Sequence, residues 1–123
     1  MINRTLLEVL FMGFEGETSA FEAFNAVRKM ENLDANAAAA RTCEILTYLT
    51  VHNWVNLWLG DPYTRDPDPR AGDSEGIDII TSERVQSMDD PDGRMLVYDI
   101  TDEGEVIVEA EMGVKRSYKT ISE

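Results

Sequence analysis

The position of the prolines limits what this chain can fold into more than any other feature. All four prolines lie between Gly60 and Gly93, in a stretch that is also rich in aspartate and glycine. Proline interrupts helices and central strands, so this stretch is predicted to be mostly loop. Regular structure is therefore expected mainly before and after it. The length of 123 residues suits one domain, residues 1–123, and is too short for two ordinary ones.

The charge is strongly acidic, with 24 Asp and Glu against 11 Lys and Arg and a formal net charge of -13. Many acids with few lysines are typical of halophilic proteins, and some phage or plasmid proteins share this composition. Such a surface repels nucleic acid in dilute buffer. At about 1 M ionic strength the Debye length is only about 3 Å, so the net charge excludes no partner there. The first half is the less acidic one, since residues 1–62 hold 8 acidic and 4 basic residues and residues 63–123 hold 16 and 7.

Several classes of protein are not supported by the sequence. No apolar run approaches the roughly 18 residues of a membrane span, and the first residues do not resemble a signal peptide, so we expect a cytoplasmic protein with no membrane partner. Cys43 is the only cysteine and is predicted to be a small buried hydrophobe, the alternative being a thiol sensor. His52 is the only histidine and is expected to cap helix carbonyls. With no catalytic motif present, we expect no enzyme activity, no catalytic residue and no cofactor.

A metal site is not predicted either. The segment RDPDPRAGDSEG echoes a calcium-binding loop, but Arg70 and Ala71 stand where the EF-hand pattern needs a ligand and a glycine. An acidic, solvated loop is the simpler interpretation. If the host is rich in salt, loosely held cations are expected between the acidic protein and a phosphate-bearing partner.

Apolar spacing predicts three helices before the proline-rich stretch. The first, about Asn3–Met12, is so apolar that it must be buried on most sides. The second, Ala20–Met30, has Thr18 and Ser19 as candidate N-caps. The third runs from Ala35 to about His52 with Asp34 as its N-cap. Its predicted core stripe consists of Ala38, Ala39, Thr42, Leu46 and Leu49.

Two strands are predicted on either side of the proline-rich stretch. The aromatic segment WVNLWLG directly follows the third helix, and RMLVYDI begins at Arg94 and ends at Ile100. Between them we expect a brief strand around residues 77–80 and a single helical turn that has Ser82 as its N-cap and runs through Met88.

Two structures fit the last segment. Val106, Val108, Ala110 and Met112 alternate as in the second strand of a hairpin. Alternatively, Thr101 is the N-cap of a helix with acidic residues in its first turn. In that case the basic residues at its far end are Lys115, Arg116 and Lys119. Propensity favours the strand, and the end charges favour the helix.

Two segments carry a resemblance to PadR- and MarR-like regulators. YDITDEG at residues 98–104, with Val108 behind it, resembles their Y-x-L-T-x-x-G-x-x-x-L junction between the second wing strand and the C-terminal helix. ILTYLTVHNWV at residues 45–55 is similar to the end of their recognition helix and the start of the first wing strand. Two departures are Asn53, where the family usually has glycine, and the much longer, acidic loop between the wing strands.

The resemblance covers nearly the whole chain and implies an α+β, mainly α, fold. That fold is a winged helix-turn-helix with a long wing and a C-terminal dimerisation helix. The helix-turn-helix part is expected at residues 1–58, the wing at 59–100 and the C-terminal helix at 101–123. The resemblance therefore favours the helix for the last segment.

The resemblance also implies a homodimeric, sequence-specific transcriptional regulator with its recognition helix in the major groove of double-stranded DNA. The candidate DNA-binding residues are Arg28, Lys29, Asn36, Ala37, Ala40, Arg41, Thr47, Arg65 and Arg70. The candidate dimer-interface residues on the first and last helices are Leu6, Leu7, Leu10, Val106, Ala110, Val114 and Tyr118. The alternative function is an acidic protein-interaction module, or a DNA mimic of phage or plasmid origin.

Overall fold

A computed structural model describes residues 3–60, 77–87 and 95–113 of the chain. These residues form an α+β fold that is mainly helical, as predicted, with one small antiparallel sheet. The elements in chain order are α1 (Arg4–Glu15), β1 (Thr18–Ser19), α2 (Ala20–Glu31), α3 (Ala35–Val51), β2 (Val55–Gly60), α4 (Ser82–Val85), β3 (Met95–Ile100) and α5 (Asp102–Met112). None of the described helices is long and apolar enough to cross a bilayer.

Side-chain caps fix where the first three helices begin. The Asn3 side chain accepts hydrogen bonds from the backbone N–H groups of Thr5 and Leu6, which starts α1. Ser19 and Glu22 form a reciprocal capping box at the start of α2. Asp34 accepts from the Ala37 N–H, 2.8 Å away, at the start of α3. Each such cap stabilises its helix by about 1 kcal/mol.

The predicted helices are confirmed with small changes at their ends. α1 extends three residues beyond the expected Met12, because Phe14 continues its buried side one turn after Leu10. α2 ends at Glu31, followed by Asn32 in the left-handed conformation. On α3 all five residues of the predicted core stripe are buried, together with Ile45.

The sheet has the strand order β1-β3-β2, and both pairings are antiparallel. Tyr98 on the central strand β3 pairs with Thr18 on β1 and with Leu57 on β2. The Tyr98 hydroxyl is buried and donates to the Val9 carbonyl oxygen on α1 at 2.7 Å, which ties the sheet to the helices. β2 and β3 confirm the two predicted strands. β1 was not predicted, because two residues are too few to show a period-2 pattern.

The segment between β2 and β3 corrects one prediction. Residues 77–79 form a turn and not a strand, and the Ile80 N–H donates to the Ile77 carbonyl at 3.1 Å. The helical turn that follows is present as α4, but its N-cap is Thr81 and not Ser82. The Thr81 hydroxyl accepts from the Arg84 N–H, and Val85 is completely buried.

The last described element is a helix, so the hairpin alternative is wrong. The Thr101 hydroxyl accepts from the Gly104 N–H at the start of α5, and Gly113 in the left-handed conformation ends it. Gly104 and Val108, four residues apart, face the protein and are buried, whereas Val106 is 62% exposed. The helical spacing of the buried residues explains why the period-2 pattern misleads here. Residues 114–123, including Val114 and Tyr118, lie outside the described part.

Candidate nucleic-acid interface

The predicted DNA-binding residues of α3 lie on the side of the helix opposite its core stripe. Asn36, Ala37 and Ala40 are exposed, and Arg41 and Thr47 are half-buried. The N-terminal half of this side therefore presents one amide and two methyl groups, and Arg41 is its only cation. Arg28 and Lys29 are exposed at the end of α2. Arg65 and Arg70 lie outside the described residues.

An ion pair joins the end of α2 to α3. Glu31, the last residue of α2, lies with its Oε1 and Oε2 atoms 3.3 and 3.4 Å from the Arg41 Nε. This contact places the turn that carries Arg28 and Lys29 beside the N-terminal half of α3. We refer to the exposed residues Arg28, Lys29 and Asn36, together with the half-buried Arg41, as the α2–α3 surface.

Arg41 is held by two carboxylates and not by one. Its Nη1 lies 2.9 Å from the Glu44 Oε1, in addition to the Glu31 contact. The hydrogen bond that Arg41 donates to Glu44 raises the pKa of Arg41, burial opposes this rise, and Glu31 adds to it. Because the Nε–H of Arg41 is bonded to Glu31, Arg41 cannot use its Nε and Nη2 donors together for a bidentate contact with one base while this ion pair lasts. The i,i+3 spacing of Arg41 and Glu44 could have indicated their pairing, but the sequence gives no sign of the contact with Glu31.

The C-terminal end of α3 carries an aromatic cluster that was not predicted from the sequence. The ring centroids of Tyr48 and His52 are 4.0 Å apart, and those of His52 and Trp54 are 5.1 Å apart. The expectation that His52 caps helix carbonyls is confirmed: its Nδ1 donates to the Tyr48 carbonyl oxygen at 2.9 Å. The sequence signal for this cluster is the i,i+4 spacing of Tyr48 and His52, with Trp54 two residues later.

The two segments that carry the family resemblance meet in the structure. Asn53 has a φ of 61°, a left-handed conformation that glycine and asparagine adopt most readily, so asparagine is a sound replacement there. Its carbonyl accepts from the Thr101 hydroxyl at 2.7 Å, and the Thr101 N–H donates to the Trp54 carbonyl at 3.0 Å. Gly104 packs so closely on Trp54 that no side chain would fit between them. The junction of α3 and β2 is therefore held to the start of α5 by two hydrogen bonds and by close packing.

The predicted dimer-interface residues have different environments. Leu10 is completely buried and Leu6 is 9% exposed within the single chain, because α1 packs on α2, α5 and the sheet. Both side chains are therefore part of the monomer's own core, and Leu7 is half-buried. Val106 and Ala110 on α5 are exposed. Of the described residues named as an interface, these two leave the most surface for a partner.

Cys43 is half-buried and not fully buried as expected. Burial raises the pKa of the Cys43 thiol, and a hydrogen bond with Ser82 opposes this rise. The neutral thiol is therefore favoured, which makes it a poor nucleophile at neutral pH. Within residues 3–60, 77–87 and 95–113, no group of three or more His, Cys, Asp or Glu side chains is arranged to hold a metal ion. The segment that echoes a calcium loop lies outside these ranges.

Function has to be inferred from the residues of this chain. Comparison with protein families, with curated proteins and with solved structures finds no match for it. The α2–α3 surface, the exposed side of α5 and the aromatic cluster are three surfaces that the described residues leave open to a partner.

Proposed function

We propose that this chain is a sequence-specific DNA-binding regulator of the winged helix-turn-helix type. The observation that carries the proposal is the unit formed by α2, a three-residue turn and α3. The buried stripe of α3 faces the protein, while Asn36, Ala37 and Ala40 stay exposed on its other side. A second helix that is exposed along its N-terminal half is the element that helix-turn-helix proteins place in the major groove. The paired strands β2 and β3, on either side of the long acidic segment, are compatible with a wing.

The chemistry of the α2–α3 surface supports a division of roles. The Asn36 amide can both donate and accept, which suits the N6 and N7 atoms of adenine. The small Ala37 and Ala40 side chains allow a close approach, and their methyl groups suit contact with thymine methyls. Arg28 and Lys29 at the end of α2 are placed to neutralise phosphates, which fix the register on the duplex without reading its sequence.

We further propose that the regulator acts as a homodimer through α5. Val106 and Ala110 are exposed one turn apart on this helix, and Val106 is among the most exposed large apolar residues described. A two-fold dimer would set two α3 helices about 34 Å apart and would imply a palindromic operator.

Selection of genomic DNA fragments by the purified protein tests the proposal. The experiment is run in low salt and again in molar KCl, because screening weakens repulsion between the acidic surface and phosphate. We expect a small set of fragments that share a palindromic site. Retention of fragments without any common sequence, or of none in either salt, would contradict the proposal.

A second candidate is a protein-interaction module that imitates DNA. The observation that favours it is the neutralisation of Arg41 by Glu31 and Glu44, together with the Asp34 carboxylate at the N-terminus of α3. These three acids place negative charge where a recognition helix normally presents cations. Competition with DNA for a DNA-binding protein of the host would support this candidate, and failure to compete would remove it.

A further inference from the structure

The second half of α3 ends in an exposed surface of aromatic and apolar side chains. We define the aromatic corner as the side chains of Tyr48, Val51, His52 and Trp54. Tyr48 is 42% exposed and Val51 is 62% exposed, while His52 is exposed and Trp54 is half-buried. Tyr48 and Val51 are three residues apart and so lie on the same side of α3. Large apolar side chains grouped at one exposed point are the usual mark of an interaction surface.

The rings of the aromatic corner are fixed before any partner binds. His52 stacks on Tyr48 with an interplanar angle of 23°, and Trp54 meets Tyr48 edge-on at 5.8 Å. The backbone N–H of Trp54 donates to the Leu49 carbonyl at 2.9 Å, and the left-handed Asn53 turns the chain from α3 into β2. Binding to such a surface costs little side-chain entropy, because the rotamers are already selected.

The charges around the aromatic corner indicate which partner it suits. The sequence has no Lys or Arg from residue 42 to residue 64 or from residue 95 to residue 114, the two segments that form the corner and its surroundings. Glu103 is anchored beside the corner, since its Oε2 accepts from the Asn53 Nδ2 at 3.1 Å. Glu44 is one helical turn before Tyr48 and is exposed. Among the described residues, the surface therefore joins accessible aromatic rings to the Glu103 carboxylate, while the Arg41 guanidinium one turn before Glu44 is already paired with Glu31 and Glu44.

From these contacts we propose that the aromatic corner binds a basic segment of a partner protein through an arginine side chain. A guanidinium group stacks on the Tyr48 ring by a cation–π contact, and its aliphatic stem covers Val51. Glu103 supplies the opposite charge, since Glu44 is already paired with Arg41. A phosphate backbone would be repelled by the Glu103 carboxylate, and a second copy of this chain would bring two acidic surfaces together. This proposal goes beyond the DNA-binding function and does not depend on it.

The test is an NMR titration of the full chain with a blocked Leu-Arg-Arg-Leu peptide. The indole N–H groups of the two tryptophans are separate reporters, since Trp54 belongs to the aromatic corner and Trp58 is buried. We expect saturable shifts at the Trp54 indole and at the amides of residues 47–54 and 102–103, with the Trp58 indole unchanged. The same peptide with citrulline in place of arginine should not bind, because citrulline keeps the shape and lacks the charge.

Four variants localise the binding. Tyr48→Ala is expected to weaken the peptide about 2- to 5-fold, the range of an exposed cation–π contact, while Tyr48→Phe keeps the ring and the affinity. Glu103→Gln should also weaken binding of the peptide. Glu17→Gln removes another exposed carboxylate, at the turn that follows α1, and should have no effect on binding. Shifts spread over the whole acidic surface, or equal losses in the two Glu→Gln variants, would overturn the proposal. Shifts of the Trp54 indole by a DNA duplex instead of the peptide, or by raising the protein concentration alone, would also overturn it.

Discussion

Gly104→Ala sets two physical effects against each other at one position of α5. Alanine is a better helix former than glycine by about 1 kcal/mol, so propensity alone predicts a more stable protein. Packing predicts the opposite. A Cβ atom at this position would lie 2.6 Å from the Ile100 Cγ1 and closer still to the Trp54 carbonyl oxygen. Real Cβ atoms do not approach backbone oxygen so closely, so α5 or the β2 start must move.

The cost of that movement can be estimated from the contacts it disturbs. Overpacking of this kind costs about 1–3 kcal/mol. The Trp54 carbonyl that would be displaced also accepts the Thr101 N–H at 3.0 Å, and losing that bond adds about 1 kcal/mol. After the gain in propensity is subtracted, Gly104→Ala is expected to lower the free energy of unfolding by about 1–3 kcal/mol.

Urea denaturation followed by circular dichroism measures this change. Ala40→Gly is the matched control, because it makes the reverse exchange at an exposed position inside α3, away from the proposed dimer interface, and should cost only about 1 kcal/mol. A Gly104→Ala protein that is as stable as the wild type, or more stable, would show that α5 does not approach Trp54 as described.

Further predictions concern the core, the thiol and α5. Burial, followed by the nearby Glu22 and Glu8 carboxylates, raises the pKa of Tyr98 above its usual range. Above about pH 10 the unfolded tyrosine ionises while the folded one keeps its proton, so the free energy of unfolding should fall by up to about 1.4 kcal/mol per pH unit. In urea titrations between pH 9 and 11, Tyr98→Phe should make this decline shallower, and an unchanged decline would contradict the burial argument. Iodoacetamide should alkylate Cys43 more slowly than free cysteine at pH 7.5, because the raised pKa of this thiol lowers the thiolate fraction; equal rates measured by mass spectrometry would refute this. Val106→Glu should abolish a dimer in light scattering yet leave the far-ultraviolet circular dichroism unchanged, and a dimer that survives it would exclude α5 as the interface. Leu6→Glu should unfold the protein, because it puts a charge into the monomer's core.

The helices and main strands could be predicted because their signals are local. The caps Ser19 and Asp34 and the stripe on α3 follow from residues within one or two turns of each other, and the structure agrees with them. α5 was ambiguous, since its sequence alternates like a strand while Thr101 caps a helix. The Thr101 cap and the close approach of Gly104 to Trp54 explain why this segment is a helix. Gly104 and Trp54 are 50 residues apart in the sequence, so their contact could not be read from local spacing.

The candidate surfaces were harder to predict, because they depend on contacts between distant residues. The pairing of Arg41 with Glu31 joins two helices, so the sequence alone presented Arg41 as a free cation. The burial of Leu6 and Leu10 depends on what packs against α1, and an apolar helix alone cannot distinguish its own core from a partner subunit. The aromatic corner needs the left-handed Asn53 to bring Trp54 back against Tyr48.

The most direct test of the proposed DNA-binding function compares two exchanges of asparagine for aspartate. Asn36 is exposed at the start of α3, and Asn25 is exposed on α2. Each exchange adds one negative charge and leaves the shape of the side chain almost unchanged. Affinity for a duplex obtained by genomic selection is measured by fluorescence anisotropy in molar KCl. We expect Asn36→Asp to weaken binding about 10-fold or more, since one bidentate base contact is worth about 1–3 kcal/mol, and Asn25→Asp to change it less than about 2-fold. Equal effects of the two exchanges, or unchanged affinity in Asn36→Asp, would contradict a role for α3 in reading DNA.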